Sequence, residues 1–140
     1  MAWIRFAPSD PARWHVSPAP PEGRGGILVP PGTDPVIAGK GAARAALTVF
    51  GEAPETVLAR LDAIAMDTPR TTRLSGRPEE GRITWITRSA FFGFPDYTTA
   101  EARADGPATE LVLYARLRFG RDDFGVNTAR LRDWIARLAP

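Results

Sequence analysis

The chain has 140 residues, the usual size of one domain, and its 18 basic against 16 acidic residues leave a formal charge of +2. Lys40 is the only lysine, and the arginines are spread along the chain among the acids, so we expect no nucleic-acid partner. The absence of cysteine excludes disulfides, zinc–thiolate sites and cysteine nucleophiles, and the single histidine, His15, excludes a multi-histidine metal centre.

Residues 1–41 are rich in proline, in runs such as "SPAPPEGRGG" and "VPPGTDPV". Because proline fixes φ and removes a backbone donor, this stretch is predicted to be an extended arm that wraps the core. We expect it to be anchored by Trp3, Ile4, Phe6 and Trp14. We also expect Ile27, Leu28 and Val29 to make a short edge contact.

Residues 42–140 are predicted to form a single α+β domain that begins with a strand, "ARAALTVF", at 43–50. The next segment, "PETVLARLDAIAM", has a proline suited to the first helical position and apolar residues at helical spacing, which predicts an amphipathic helix. Pro69 ends this helix near Asp67.

Four β-like segments follow, joined by short connections that carry glycine and proline, which predicts an antiparallel meander. They lie at 71–75, 82–89, 96–103 and 109–119. The last segment, "TELVLYARLRF", alternates apolar residues with a polar face that includes Arg116 and Arg118, as expected for a sheet with one covered face.

The closing segment "NTARLRDWIARL" has apolar residues at helical spacing, with Asn127 or Thr128 available as the N-cap. This order of elements favours a two-layer α+β sandwich. We predict an antiparallel meander sheet of four to five strands with two helices on one face.

Polar residues converge where the meander strands end, and the set comprises Arg88, Asp96, Arg116, Arg118, Asp123 and Asn127. If the strands pair as hairpins, Arg88 and Asp96 flank the "AFFGFP" connection and face each other, a natural bidentate pair. Two interpretations of the whole set stay open. It forms a small-anion site for a carboxylate or phosphate ester, or an internally satisfied network that holds the last helix to the sheet.

The motifs that contain these residues resemble the signature of a known family. "TRSAFFGFPDY", followed by "RFGRDDFGVN", is similar to the paired signature of domain-of-unknown-function family 1499 (DUF1499), over roughly residues 40–138. The matching positions are Arg88, Ser89, Gly93, Asp96, Arg118, Gly120, Asp123, Gly125 and Asn127. The "APSDPARWHV" arm is similar to one that follows an N-terminal apolar helix in alphaproteobacterial relatives. The resemblance thus implies a membrane-anchored or periplasmic location for a longer native form, and it implies no activity.

The phenylalanines of the "AFFGFP" connection allow two interpretations. Phe91, Phe92 and Phe94 either dip into a bilayer or seat a protein partner, or they tuck under the edge of the core.

Catalytic features are sparse. Asp122 and Asp123 are adjacent on a turn, where carboxylates usually point in different directions, and His15 is a lone base in the arm. As written the chain is expected to be soluble, because no run approaches the roughly 20 apolar residues of a membrane span. We therefore expect a non-catalytic, envelope- or membrane-associated binding or scaffolding module that needs no cofactor or metal. The alternative is an anion sensor or hydrolase that uses the Arg/Asp cluster, and the oligomeric state stays open.

Overall fold

The computed structural model describes residues 7–18 and 34–139. Their elements are α1 (Pro11–Trp14), β1 (Val36–Ala38), β2 (Ala42–Phe50), α2 (Pro54–Met66), β3 (Thr71–Arg77), a single 3-10 turn (Pro78–Glu80), β4 (Arg82–Arg88), β5 (Pro95–Asp105), β6 (Ala108–Leu117) and α3 (Val126–Leu138). The anchors expected at Trp3, Ile4 and Phe6, and the edge contact expected at residues 27–29, lie outside the described residues.

The strands form one antiparallel sheet in the order β1-β2-β6-β5-β4-β3. The predicted α+β class and antiparallel sheet are confirmed. The predicted count of four to five strands is wrong, because residues 36–38 of the expected arm pair with β2 across a tight turn and bring the described strands to six. The predicted count of two helices also falls one short, because α1 is a further, single-turn helix.

The two long helices, α2 and α3, pack on one face of the sheet, which we call the helix face. This face is apolar, and its centre is an edge-to-face pair of Trp85 and Trp134 with ring centroids 5.4 Å apart. Each indole nitrogen has an acceptor: Trp85 Nε1 donates to Asp62 at 2.9 Å and Trp134 Nε1 donates to Thr68 at 3.0 Å. Buried aromatic area with satisfied polar atoms gives the helix face a conventional core.

The opposite face of the sheet, which we call the outer face, is covered by residues 7–18, the arm segment. Within it, Asp10 caps α1 by accepting a hydrogen bond from the backbone N–H of Ala12 at 3.0 Å. Trp14 then lies flat on Tyr97, with ring centroids 3.9 Å apart and planes 7° from parallel. The expected role of Trp14 as an anchor is therefore confirmed.

Gly76, in the edge strand β3, leaves room for the arm segment to pack against the sheet. Gly76 has φ +87°, and a Cβ there would lie 2.8 Å from Cε1 of His15 and 2.1 Å from the carbonyl oxygen of Arg82. Any side chain at this position would collide with the backbone of β4 and with the arm segment.

Four connections meet at one end of the sheet, because β4 and β6 end there while β2, β3 and β5 begin there. We call this the loop end, and it consists of residues 39–41, 67–70, 89–94 and 118–125. The backbone joins two of these loops directly, since Asp123 N donates to the carbonyl oxygen of Lys40 at 2.9 Å.

Candidate functional site

The sheet divides the polar residues that the sequence placed together. In the hairpin register Arg88 lies opposite Pro95, whereas Asp96 lies opposite Thr87. Because successive residues of a strand point to opposite faces, Arg88 belongs to the outer face and Asp96 to the helix face. The predicted facing pair of Arg88 and Asp96 is wrong by one residue of register.

On the helix face, Asp96 pairs with Arg130 of α3, with Oδ2 and Nη2 3.4 Å apart. Arg130 also donates to the side-chain oxygen of Asn127, one turn earlier in the same helix. Burial raises the pKa of Asp96, and the charge of Arg130 opposes that rise. These contacts hold α3 to the sheet, but of the predicted set they include only Asp96 and Asn127, and their cation is Arg130, which the sequence analysis did not single out.

Asp123 holds the start of α3. Its Oδ1 accepts a hydrogen bond from Gly125 N and its Oδ2 accepts one from Asn127 N, both at 3.0 Å. The helix begins at Val126 after Gly125 with φ +82°, so the expected N-cap at Asn127 or Thr128 is wrong. Both residues lie buried in the first turn, and the Asp123 carboxylate instead satisfies one free amide of that turn, the N–H of Asn127.

The motif "TRSAFFGFPDY" shapes the turn between β4 and β5. Arg88 Nη1 donates to the carbonyl oxygen of Gly93 at 2.9 Å, and Gly93 has φ +67°. Ser89 Oγ accepts a hydrogen bond from Phe94 N at 2.9 Å. The contacts of Arg88, Ser89 and Gly93 therefore fix the conformation of the loop that carries the phenylalanines.

Arg116 and Arg118 lie on the outer face beneath the arm segment. Arg116 donates to the carbonyl oxygen of Trp14 and, at 2.9 Å, to Thr99 Oγ1. Arg118 donates to the carbonyl oxygen of Pro8 at 2.7 Å and to the hydroxyl of Tyr97 at 3.1 Å. Burial lowers the pKa of Arg116 to about 10, because its neutral acceptors do not offset the desolvation of the charge.

Three exposed phenylalanines, Phe91, Phe92 and Phe124, lie at the loop end. Phe91 is 91% exposed and Phe92 is 55% exposed, so these two do not tuck under the core as one interpretation held. Phe94 is half-buried and stacks on Phe92, with ring centroids 5.3 Å apart. Phe124, on the loop 118–125, is 92% exposed and was missed, because a single aromatic residue in a polar turn gives no periodic signal.

Neither metal binding nor a membrane span finds support in the described ranges. Residues 7–18 and 34–139 contain no group of three or more histidines and carboxylates placed to hold a metal ion. Over the same ranges, no helix combines the length and the apolar character needed to cross a bilayer.

Comparisons with known proteins place the chain in a family. The model of the family described as "Protein of unknown function (DUF1499)" matches residues 28–138. No curated protein matches the chain. The crystal structure of DR_A0006 from Deinococcus radiodurans is similar at 16% identity and a TM-score of 0.44, covering 69% of this chain and 92% of that one. That of TTHA0849 from Thermus thermophilus is similar at 15% identity and a TM-score of 0.33, covering 69% and 85%.

Proposed function

The chain belongs to the DUF1499 family, and we propose that it is a non-catalytic binding module that docks its loop end on a membrane surface. The observation that carries this proposal is the exposure of three phenylalanines, Phe91, Phe92 and Phe124, on two loops at the same end of the sheet. Exposed apolar groups that cluster on a folded domain mark a contact surface.

The conformation of Phe124 supports a role outside the fold. Its φ is +54°, in the left-handed region that bulky residues rarely adopt, and its ring is 92% exposed. The fold therefore gains no burial from this ring while it holds the backbone in an unfavourable region. Such a position favours a residue kept for contact with something outside the chain.

The energetics favour insertion of rings over charge attraction. Burying one phenylalanine side chain contributes roughly 1.5–3 kcal/mol, so even partial insertion of three rings gives measurable binding. The charged residues of the loop end nearly balance: they are Lys40, Arg70, Arg118 and Arg121 against Asp67, Asp122 and Asp123. We therefore expect only weak dependence on anionic lipid.

The loop that carries Phe91 and Phe92 is ordered by its own hydrogen bonds. Within 89–94 the backbone bonds Ser89 N to Phe94 O at 3.0 Å and Gly93 N to Ser89 O at 3.2 Å, in addition to the side-chain contact of Ser89. A loop ordered before binding loses less conformational entropy when it docks.

Co-sedimentation with vesicles of phosphatidylcholine and phosphatidylglycerol tests the proposal. The wild type should sediment, and the double variant Phe91→Ser with Phe124→Gly should partition at least about 10-fold less, which corresponds to about 1.4 kcal/mol. Glycine at position 124 suits the positive φ, so the variant should keep its melting temperature. Phe50→Ser is the matched control, because Phe50 is 77% exposed but ends β2 opposite Ala108, at the other end of the sheet.

The salt dependence of binding distinguishes insertion of the rings from charge attraction. Raising the salt from about 0.1 M to about 1 M shortens the Debye length from about 10 Å to about 3 Å and should leave most of the binding intact. Loss of binding in high salt would contradict insertion of the rings. A wild type that leaves vesicles untouched, or a Phe50→Ser variant as impaired as the double variant, would contradict membrane docking and favour a protein partner for this surface.

A further inference from the structure

The arm segment covers the outer face in the manner of a bound ligand. The indole of Trp14 lies parallel on the phenol ring of Tyr97, and the carbonyl oxygen of Trp14 accepts hydrogen bonds from Arg116 and, at 3.2 Å, from Thr99 Oγ1. One residue thus supplies a flat ring and an oxygen acceptor to a preformed surface of β5 and β6.

Three arginines of the outer face, Arg44, Arg116 and Arg118, have neutral partners. Arg44, Arg116 and Arg118 donate to backbone carbonyl oxygens of the arm segment, and within residues 7–18 and 34–139 none of the three forms an ion pair with a carboxylate. They share two rings: Arg44 and Arg116 lie 3.8 Å and 4.8 Å from the centroid of Tyr114, and Arg116 and Arg118 lie 5.5 Å and 6.0 Å from that of Trp14. Guanidinium groups bind carboxylates more strongly than neutral carbonyls, so the cluster suits an anion better than it suits its present cover.

The cover also leaves polar groups poorly satisfied. Arg116 is only 7% exposed with neutral acceptors around its charge, and the indole Nε1 of Trp14 is buried without any acceptor among the described residues. A buried charge and a buried N–H donor both weaken a contact when nothing compensates them. The closed arrangement is therefore weaker than its buried area suggests.

We propose that the outer face is a binding site for a ligand that joins an aromatic ring to a carboxylate, and that the arm segment is a displaceable strap whose Trp14 occupies the ligand's place. The ligand's ring would stack on Tyr97, and its carboxylate would replace the Trp14 carbonyl oxygen at Arg116 and Thr99. This site lies on a different surface from the loop end, and its test does not depend on membrane docking.

N-acetyltryptophan is the probe, because it has the indole ring of Trp14 and carries a carboxylate where Trp14 has its carbonyl group. N-acetyltryptophanamide is the matched neutral probe. Titration of the wild-type protein with the acid, followed by NMR, should shift the indole N–H signal of Trp14 towards that of an exposed tryptophan, and the amide should leave it in place. Trp14→Ala removes the competing ring, so it should bind the acid at least 10-fold more tightly than the wild type and at least 10-fold more tightly than it binds the amide.

Two arginine variants locate the site. In the Trp14→Ala background, Arg116→Gln should weaken binding of the acid at least 10-fold. Arg103→Gln should have no effect, because Arg103 lies on the same face but pairs with Glu101 at 2.8 Å and is mostly exposed. Equal affinity of Trp14→Ala for acid and amide, or no binding of either, would overturn the proposal. Should Trp14→Ala fail to fold, the wild-type titration decides, and an unmoved Trp14 signal up to the solubility limit of the acid would overturn it.

Discussion

The two faces of the sheet are covered by different means. On the helix face, Trp134 is fully buried in an apolar layer and its indole nitrogen donates to Thr68. On the outer face, Trp14 is 8% exposed, and the arm segment is held by arginine side chains that donate to its carbonyl oxygens and by side-chain hydrogen bonds of Ser9, His15 and Ser17. Burial alone therefore does not show whether a covering segment belongs to the cooperative core.

The difference has an energetic basis. Buried apolar area stabilises by roughly 25 cal/mol per Å², whereas a hydrogen bond that replaces one to water contributes only about 0.5–1.5 kcal/mol. The helix face is stabilised by apolar area buried along two long helices. The outer face depends largely on hydrogen bonds, and the desolvation of Arg116 offsets part of their contribution. The arm segment should therefore open without unfolding of the rest of the chain.

Replacing each of the two tryptophans by alanine gives the largest expected difference. Trp134→Ala should destabilise the fold by about 3–5 kcal/mol, the usual cost of truncating a buried aromatic residue in a core. Trp14→Ala should cost less than about 2 kcal/mol, because the arm segment detaches, Arg116 returns to water and no cavity remains. Urea unfolding of both variants measures the difference, and equal losses of unfolding free energy would show that the two faces are equally part of the cooperative core.

A smaller effect is expected where α3 is fastened to the loop end. Asp123→Ala should destabilise by about 1 kcal/mol, because Asp123 accepts from two backbone amides at the start of the helix. The neighbouring Asp122→Ala is the matched control and should stay within about 0.5 kcal/mol, since within residues 7–18 and 34–139 Asp122 accepts only from Phe124 N, in an exposed turn. Thermal unfolding of the pair would contradict this account if Asp122 proved the more costly loss.

The smallest expected effect is a pH dependence of the arm segment. Burial, aided by the charge of Arg82 and opposed by that of Glu80, lowers the pKa of His15, whose Nδ1 lies 2.8 Å from Thr84 Oγ1. A base with a lowered pKa in the docked state contributes stability that is complete above its unfolded pKa of about 6.5 and is lost as the pH falls through the docked value.

Limited proteolysis of the arm segment should therefore be faster at about pH 5 than at about pH 7.5, by less than 10-fold. His15→Gln should remove this difference in cleavage rate between the two pH values. A cleavage rate that rises with pH over this range, after correction for the protease, would show that the sign is wrong.

Much of the fold was predictable from the sequence, because periodicity reports which face of an element is buried. Pro54 and the helical spacing of Val57 and Leu61 located α2, and the alternation in β6 identified its covered face. The strand at 36–38 was not predictable in this way, since three residues are too few to show a period of two.

The site was less predictable than the fold. Sequence reasoning placed Arg88 and Asp96 at the correct hairpin but missed the register by one residue, and such a slip moves a side chain to the other face. Arg130 and Arg44 were missed because their partners are distant in the sequence, and the position of the arm segment depends on contacts across the whole chain. Local patterns do not specify such contacts.

Hydrogen exchange of the indole N–H groups distinguishes separate opening of the arm segment from unfolding of the whole chain, because Trp14 and Trp134 report on the two faces in one experiment. If the arm segment opens separately, the Trp14 indole should exchange at least about 10-fold faster than that of Trp134, which requires opening of the helix face. Equal exchange rates for the two indoles, with equal dependence on denaturant, would show that both covers open together and would contradict the account.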